Sequence, residues 1–318
     1  MGKKATADVG KRRRVTGVVN PSVTGNNFAP AEPVGCPTCG QANPSLSTQA
    51  NATSGGVYAV GVLRPQIPTL GVAAAFAQLT EGAHQGDQVE VELLQRVLGS
   101  PENAYLGRRL CWSFASGGLD TFIVLPQSDT DVARLAEVLS PAEADAVVHV
   151  IVGRTVPSPI DWPCAASGLP AVQADRVLAF TLPEFAAAMP IGGPSVGEQP
   201  SAGGSNGDRA EFEAVVREVF LRLTRRNENR GLAPEDIACN HVAVEYPAFH
   251  RMVWQARRDG KVLMAIDAQH SHSADRLVVA VRATFRDPRT HITERLQLLD
   301  DVTEPSFPFL LTGLERVF

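Results

Sequence analysis

The chain has 318 residues, a formal net charge of -5 and a hydrophobic content of 44%. This length allows one large domain or two modest ones, with enough residues for a sizeable core. Nucleic-acid-binding domains usually carry a clear excess of basic residues, so the mild acidity disfavours that class. The longest apolar run, 147–152, is far shorter than the roughly 18 residues of a membrane span. No apolar segment follows the basic start, so we expect no secretory signal and a cytoplasmic location.

The first part of the chain has the composition of a tail. Residues 1–34 combine the basic cluster 11–14 with many Gly, Pro, Ser, Thr and Asn residues. Such a stretch has too little apolar surface to offset the entropy lost on ordering. We therefore expect a disordered basic tail over 1–34.

An N-terminal α+β part is expected over 35–189. Helical spacing of apolar residues predicts helices at 70–79, 89–98, 129–139 and 183–188. Apolar runs bounded by turn residues predict five strands, at 57–67, 110–115, 121–125, 147–152 and 171–180.

A Gly, Pro and Ser stretch at 190–207 predicts a flexible linker, after which the pattern changes. The C-terminal part, 208–318, should contain helices at 208–227, at 234–244 and after Tyr246-Pro247. Strands are expected at 261–268, 277–285 and 292–300. Helices and strands that do not alternate regularly indicate an α+β fold with mixed or antiparallel sheets and packed helices. The two parts are expected to form one composite domain.

The cysteines are the residues with the clearest chemistry. Cys36 and Cys39 form a Cys-Pro-Thr-Cys-Gly motif, whose spacing lets both sulfurs face one ion. A thioredoxin-like redox pair would need a βαβ context, so half of a tetrahedral zinc site is the preferred interpretation. The other two ligands must come from elsewhere, with Cys111, Cys164, Cys239 and the histidines as candidates. Taken alone, Cys111 and Cys239 are typical of core thiols.

The remaining polar clusters do not form a catalytic motif. His270-Ser271-His272 suggests a metal or acid/base site, but the flanking Ser and Ala residues favour a solvated turn. Asp300-Asp301 is interpreted as a solvated strand end. Neither a nucleophile elbow nor a phosphate-binding loop is present in the sequence.

Several stretches, in the same order along the chain, resemble the non-catalytic domain of unknown function at the C-termini of the cyanobactin maturation proteins PatA and PatG. The free-standing relatives of that domain in crocagin-type pathways are equally similar. The stretches are 57–61, 68–70, 76–78, 101–106, 109–112, 118–122, 240–248, 301–304 and 307–310.

The resemblance implies an accessory protein in the maturation of ribosomally made, post-translationally modified peptides. It implies binding of the precursor peptide, both leader and core, and help to the peptide-modifying enzymes. It also places family cysteines at Cys36, Cys39, Cys111 and Cys164, which would form a closed structural zinc site pinning the N-terminal segment. Cys239 would then be an ordinary buried residue.

Two functions follow from these expectations. The first is a peptide-binding protein without catalytic residues, in which the peptide adds to a sheet edge around 277–285 and 292–300. The alternative is an enzyme that cyclises or hydrolyses the precursor peptide, with His241, His270 or His272 as acid/base groups. A homodimer is also compatible with the long helix predicted at 208–227, which carries a stripe of apolar residues. Nucleic acid and membrane partners are not expected.

Overall fold

The structure, a computed structural model, describes residues 55–80, 91–139, 147–159, 164–192, 206–226, 228–273, 275–303 and 308–317. Eight α-helices lie in these ranges. They are α1 Leu70–Leu79, α2 Val91–Leu98, α3 Ala104–Gly107, α4 Asp129–Glu137, α5 Leu182–Ala188, α6 Asn206–Thr224, α7 Pro234–Glu245 and α8 Pro247–Arg258. The same ranges contain nine strands. They are β1 Gly56–Gln66, β2 Cys111–Ser116, β3 Leu119–Val124, β4 Val147–Val156, β5 Ala171–Thr181, β6 Val262–Ser273, β7 Arg276–Arg286, β8 Thr293–Asp301 and β9 Phe309–Val317.

Local sequence explains where several helices begin. Ser128 and Asp131 form a reciprocal capping box at the start of α4, as do Thr181 and Glu184 at the start of α5. Each box pairs backbone N–H groups that would otherwise lack a partner in the first turn. Pro234 and Pro247 open α7 and α8, positions where a missing N–H costs nothing.

The first five strands form a closed barrel in the order β1-β2-β3-β5-β4. Strand β1 closes it, because residues 56–61 pair with β4 and residues 62–66 pair with β2. Gly61 stands where β1 passes from one partner to the other. A Cβ atom at Gly61 would lie 2.1 Å from the carbonyl oxygen of Ala115, so only glycine fits this approach.

Strands β1, β2 and β4 each contain a stretch that is buried on both faces, which explains their continuous apolar runs. On β1, Val57 and Ala59 belong to one core cluster, whereas Tyr58 and Val60 belong to the other. Successive side chains of a strand point to opposite faces, so β1 contributes alternately to the two clusters.

The second core cluster lies between the barrel and a four-stranded sheet. That sheet has the order β6-β7-β8-β9 and is antiparallel throughout. Helix α6 presents its buried stripe Phe212, Val215, Val219 and Leu223 to this cluster, which also includes side chains of β7. Both parts of the chain therefore share one core.

A buried polar connection fixes α7 against the barrel. The Asn240 side chain, fully buried, donates a 2.8 Å hydrogen bond to the carbonyl oxygen of Tyr58 and exchanges two hydrogen bonds with the Asn229 side chain. Gly231 follows in a left-handed conformation, with a φ of 71°, and its carbonyl oxygen accepts from the Tyr58 backbone N–H. A Cβ there would lie 2.4 Å from the Cα of Ala59.

The expected fold class is confirmed in its α+β content and antiparallel sheets. The closed barrel and the last strand, β9, were not expected. The histidine cluster was assigned wrongly, because His270 and the backbone of His272 lie in β6 rather than in a turn. None of the helices within the described ranges is both long and apolar enough to cross a membrane.

Candidate functional site

The sheet edge is the surface on which the sequence placed peptide binding. Strands β7 and β8 each pair on both sides, β7 with β6 and β8, and β8 with β7 and β9. Their backbone hydrogen-bonding groups are already used, so the assignment of an edge to 277–285 and 292–300 is wrong. Among the described strands of this sheet, the edges are β6 and β9.

Both edge strands carry exposed apolar side chains. On β6, Val262 and Met264 are 51% and 52% exposed. On β9, Phe309 and Leu311 are 43% and 37% exposed, and the guanidinium group of Arg276 lies 5.9 Å from the centre of the Phe309 ring. Unpaired strand edges with apolar side chains are surfaces onto which another extended chain can add.

The acidic pair at the end of β8 is buried, contrary to the expectation of a solvated strand end. Asp300 and Asp301 are 0% and 2% exposed. The Nδ1 atom of His241 lies 2.9 Å from Oδ2 of Asp300, and Oδ1 of Asp300 has no hydrogen-bond partner among the residues that the structure describes. Burial raises the pKa of the Asp300 carboxyl group, and the hydrogen bond with His241 opposes that rise. Asp301 accepts from the Thr303 backbone N–H.

The three candidate acid/base histidines are not brought together into one site. His241 lies on α7 with its side chain 12% exposed, and it contacts Asp300 and the ring of Tyr58. His270 pairs with Glu235 at the start of α7. The side chain of His272 lies outside the described residues. The position of Asp300 opposite a helix could not be inferred from strand periodicity alone, since the sequence does not reveal which helix covers the sheet.

The cysteine candidates divide into three groups. Cys36 and Cys39 lie outside the described residues. Cys111, at the start of β2, and Cys164, before β5, are brought together and joined as a disulfide, with Cα atoms 5.7 Å apart. Cys239 is free and fully buried, as expected for a core residue, and burial raises its pKa to about 11.

The Cys111–Cys164 pair has the donor chemistry of half a zinc site. Both residues are buried, 7% and 4% exposed, in a small cluster with Ile123 and Ala171. Thiolates are preferred zinc ligands, but a disulfide uses both sulfurs, so metal binding by this pair requires its reduced form. Within the described residues, no group of three or more His, Cys, Asp or Glu side chains is placed to hold a metal ion.

Comparison with known proteins places two family matches on the chain. Residues 56–182 match the family described as PatG Domain, and residues 206–316 match the family described as PatG C-terminal. A solved structure described as "PatG Domain of Unknown Function" shares the fold. Its TM-score is 0.57 at 19% sequence identity, and the alignment covers 83% of this chain and 99% of that one. No protein of curated function matches the chain.

Proposed function

Because the chain belongs to the PatG-like C-terminal domains, we propose that it is an accessory protein of a cyanobactin-type pathway that matures ribosomally made peptides. Its role is to bind the precursor peptide and to present it to the modifying enzymes. On this proposal the precursor is an unfolded chain, which the accessory protein recognises in an extended conformation.

The observation that carries this proposal is the pair of unpaired edges on the C-terminal sheet. Exposed Val262 and Met264 on β6, and Phe309 and Leu311 on β9, lie beside backbone groups that have no partner strand among the described residues. An added peptide strand gains main-chain hydrogen bonds at such an edge, and the exposed side chains provide apolar contacts for alternate residues of the peptide.

The contact between His241 and Asp300 supports a second candidate function, an enzyme that cyclises or hydrolyses the peptide. A carboxylate bound to Nδ1 orients an imidazole for proton transfer. However, the His241 side chain is only 12% exposed and Asp300 is fully buried, which leaves little surface for a reacting peptide bond. The geometry therefore favours binding over catalysis.

Titration with the precursor peptide encoded beside this gene tests the proposal. We expect saturable binding below about 100 μM, with slowed amide exchange in β6 or β9 and no change in β7, which is already paired on both sides. A matched peptide with proline at every second position cannot complete a strand and should bind much more weakly.

The outcomes separate the two candidate functions. Absence of saturable binding, together with unchanged activity of the modifying enzymes, would refute the accessory role. A change in peptide mass on incubation with this protein alone, lost in His241→Gln, would instead establish the enzyme.

We further propose that Cys36, Cys39, Cys111 and Cys164 bind one structural zinc ion when Cys111 and Cys164 are reduced. Support comes from the family resemblance of the four positions and from the proximity of two of them. Four thiolates form a closed tetrahedral shell, so such an ion would stabilise the fold without activating water.

A further inference from the structure

A cavity of about 350 Å³ opens beside the first residues of β6. Helix α6 contributes Glu218 and Arg222, the last turn of α8 contributes Arg257, and the chain entering β6 contributes Lys261 and Val262. The cavity therefore adjoins the start of an edge strand to which the proposed function assigns a peptide.

Cations outnumber carboxylates in and around this cavity. Glu218 is shared by Arg222 and Arg257, with Oε1 of Glu218 3.0 Å from a guanidinium nitrogen of Arg222. Glu294, on the neighbouring end of β8, is shared in the same way by Lys261 and by Arg316, each at 2.5 Å. Four cations surround two carboxylates, which leaves two positive charges in excess on a protein whose net charge is -5.

The cations are accessible rather than enclosed. Arg222 and Arg257 are each 41% exposed at the side chain, and Lys261 is 28% exposed. A carboxylate entering the cavity would meet partly solvated donors. Glu218 is already divided between the two arginines, Lys261 pairs with Glu294, and Arg222 also donates a 3.3 Å hydrogen bond to the carbonyl oxygen of Leu263. Arginine is suited to this role because its planar guanidinium group can bind a carboxylate through two parallel hydrogen bonds.

We propose that this cavity recognises an acidic segment of the extended peptide that pairs with β6. This inference rests on the proposed function and specifies the chemistry of its ligand. Strand pairing with β6 places one end of the peptide beside Val262, and two or three Asp or Glu side chains at that end enter the cavity. The exposed side chains of Val262 and Met264 contact the apolar residues that follow.

Three pairs of synthetic peptides test the inference on the full chain. Each has six alternating Thr and Val residues and an amidated C-terminus, with three Glu, three Gln or three Lys residues at one end. Both orientations are made, since the peptide can run parallel or antiparallel to β6. We expect the Glu peptide to bind about fivefold more tightly than the Gln peptide, and the Lys peptide to bind most weakly.

Two variants with opposite expected effects on affinity for the Glu peptide test whether it binds in this cavity. Arg222→Gln combined with Arg257→Gln should remove the preference for the Glu peptide, whereas Glu218→Gln should strengthen it by removing the negative charge with which both arginines pair. Arg258→Gln is the matched control, because Arg258 lies on the same helix but pairs with Asp208 and stacks on Trp254. A purely structural role of the arginines would not account for tighter binding in Glu218→Gln. Thermal unfolding of each variant reports whether it is folded.

The outcomes distinguish this inference from the proposed function. If the precursor peptide binds, but the Glu and Gln peptides bind equally and all variants match the wild type, acidic recognition is wrong and peptide binding stands. If the precursor does not bind, the accessory role fails. The preference for the Glu peptide, and its loss in the double arginine variant, then decides whether this cavity is an acidic-peptide site.

Discussion

At the scale of single residues, buried histidines determine how stability depends on pH. Burial lowers the pKa of His250 to about 4, and its Nε2–H donates a 2.9 Å hydrogen bond to the carbonyl oxygen of Ala243. Burial also lowers the pKa of His149. The folded protein therefore binds fewer protons at these sites than the unfolded chain does.

We predict that the free energy of unfolding falls as the pH drops from 6.5 towards 4. A lowered pKa means that the stabilisation by neutral His250 is complete above the unfolded value and is lost on acidification. Between about pH 7.5 and about pH 5 the loss from His250 alone should be about 2 kcal/mol, measured by urea unfolding at a series of pH values.

His250→Gln is the informative variant, since glutamine keeps an N–H donor near Ala243 but does not titrate. It should make the pH dependence shallower, because only the contribution of His250 is removed. An equally steep profile in His250→Gln would contradict the assignment. Asp300 acts in the opposite direction: its raised pKa stabilises the folded state at low pH, and this contribution is lost as the pH rises.

Residue chemistry was only partly predictable from the sequence. Cys239 was correctly expected to be buried, because apolar neighbours surround it on a helical pattern. Asp300 was assigned to a solvated strand end and His270 to a solvated turn, because flanking polar residues usually mark loops. Asp300 is buried, whereas His270 is exposed but lies in β6. In the folded chain α7 supplies a partner to each, His241 to Asp300 and Glu235 to His270, and no local pattern reveals such a long-range pairing.

At the scale of elements, the attachment of α7 to the barrel depends on one buried amide. Asn240 bonds both Tyr58 and Asn229, so Asn240→Leu would leave the carbonyl oxygen of Tyr58 without its side-chain donor and would remove two hydrogen bonds of the Asn229 amide, which keeps those to Leu223 and Gly231. Buried groups left in this state cost about 1 to 3 kcal/mol each. We predict a loss of about 3 kcal/mol in the free energy of unfolding, measured by urea denaturation.

Gln255→Leu provides the control for this prediction, as it makes the same change on an exposed helical surface of α8. Its effect should stay within about 0.5 kcal/mol. Equal destabilisation by the two variants would show that the Asn240 network does not hold α7 in place.

Helices and strands whose apolar residues recur at regular spacing were predictable from the sequence. Those that form only because they pair with a distant part of the chain were not. The striped helix α6 and the strands β7 and β8 follow directly from spacing in the sequence. Strand β9 was missed, because its residues Thr312, Gly313, Glu315 and Arg316 give little strand signal. Without β9, β8 would be an edge of the sheet. This explains why the sequence predicts peptide addition at 292–300, which is an interior strand in the structure.

At the scale of the whole molecule, the cysteines link distant parts of the chain. Cys111 and Cys164 are 53 residues apart, and the intervening segment contains β3, α4 and β4. Closing a loop of this length with a disulfide contributes about 4 kcal/mol in the chain-entropy description. Under reducing conditions, the proposed zinc ion would be bound by the same pair together with Cys36 and Cys39.

We therefore predict two alternative states of this pair. Reduced protein purified with zinc should contain one zinc ion per chain, because four thiolates are then available. Protein stripped with a chelator and then oxidised should lose that zinc and show at least two fewer free thiols than the five of the reduced chain, since Cys111 and Cys164 are joined. Elemental analysis and thiol titration under denaturing conditions measure the two quantities.

Variants separate the zinc ligands from the remaining cysteine. Cys111→Ser and Cys36→Ser should each abolish stoichiometric zinc, because a tetrahedral structural site does not tolerate the loss of a thiolate. Cys239→Ala should keep the zinc, since this thiol is buried beside Arg226 and away from the pair. Full zinc occupancy in Cys111→Ser would exclude Cys111 as a ligand, and the Cys111–Cys164 pair would then link the barrel through its disulfide alone.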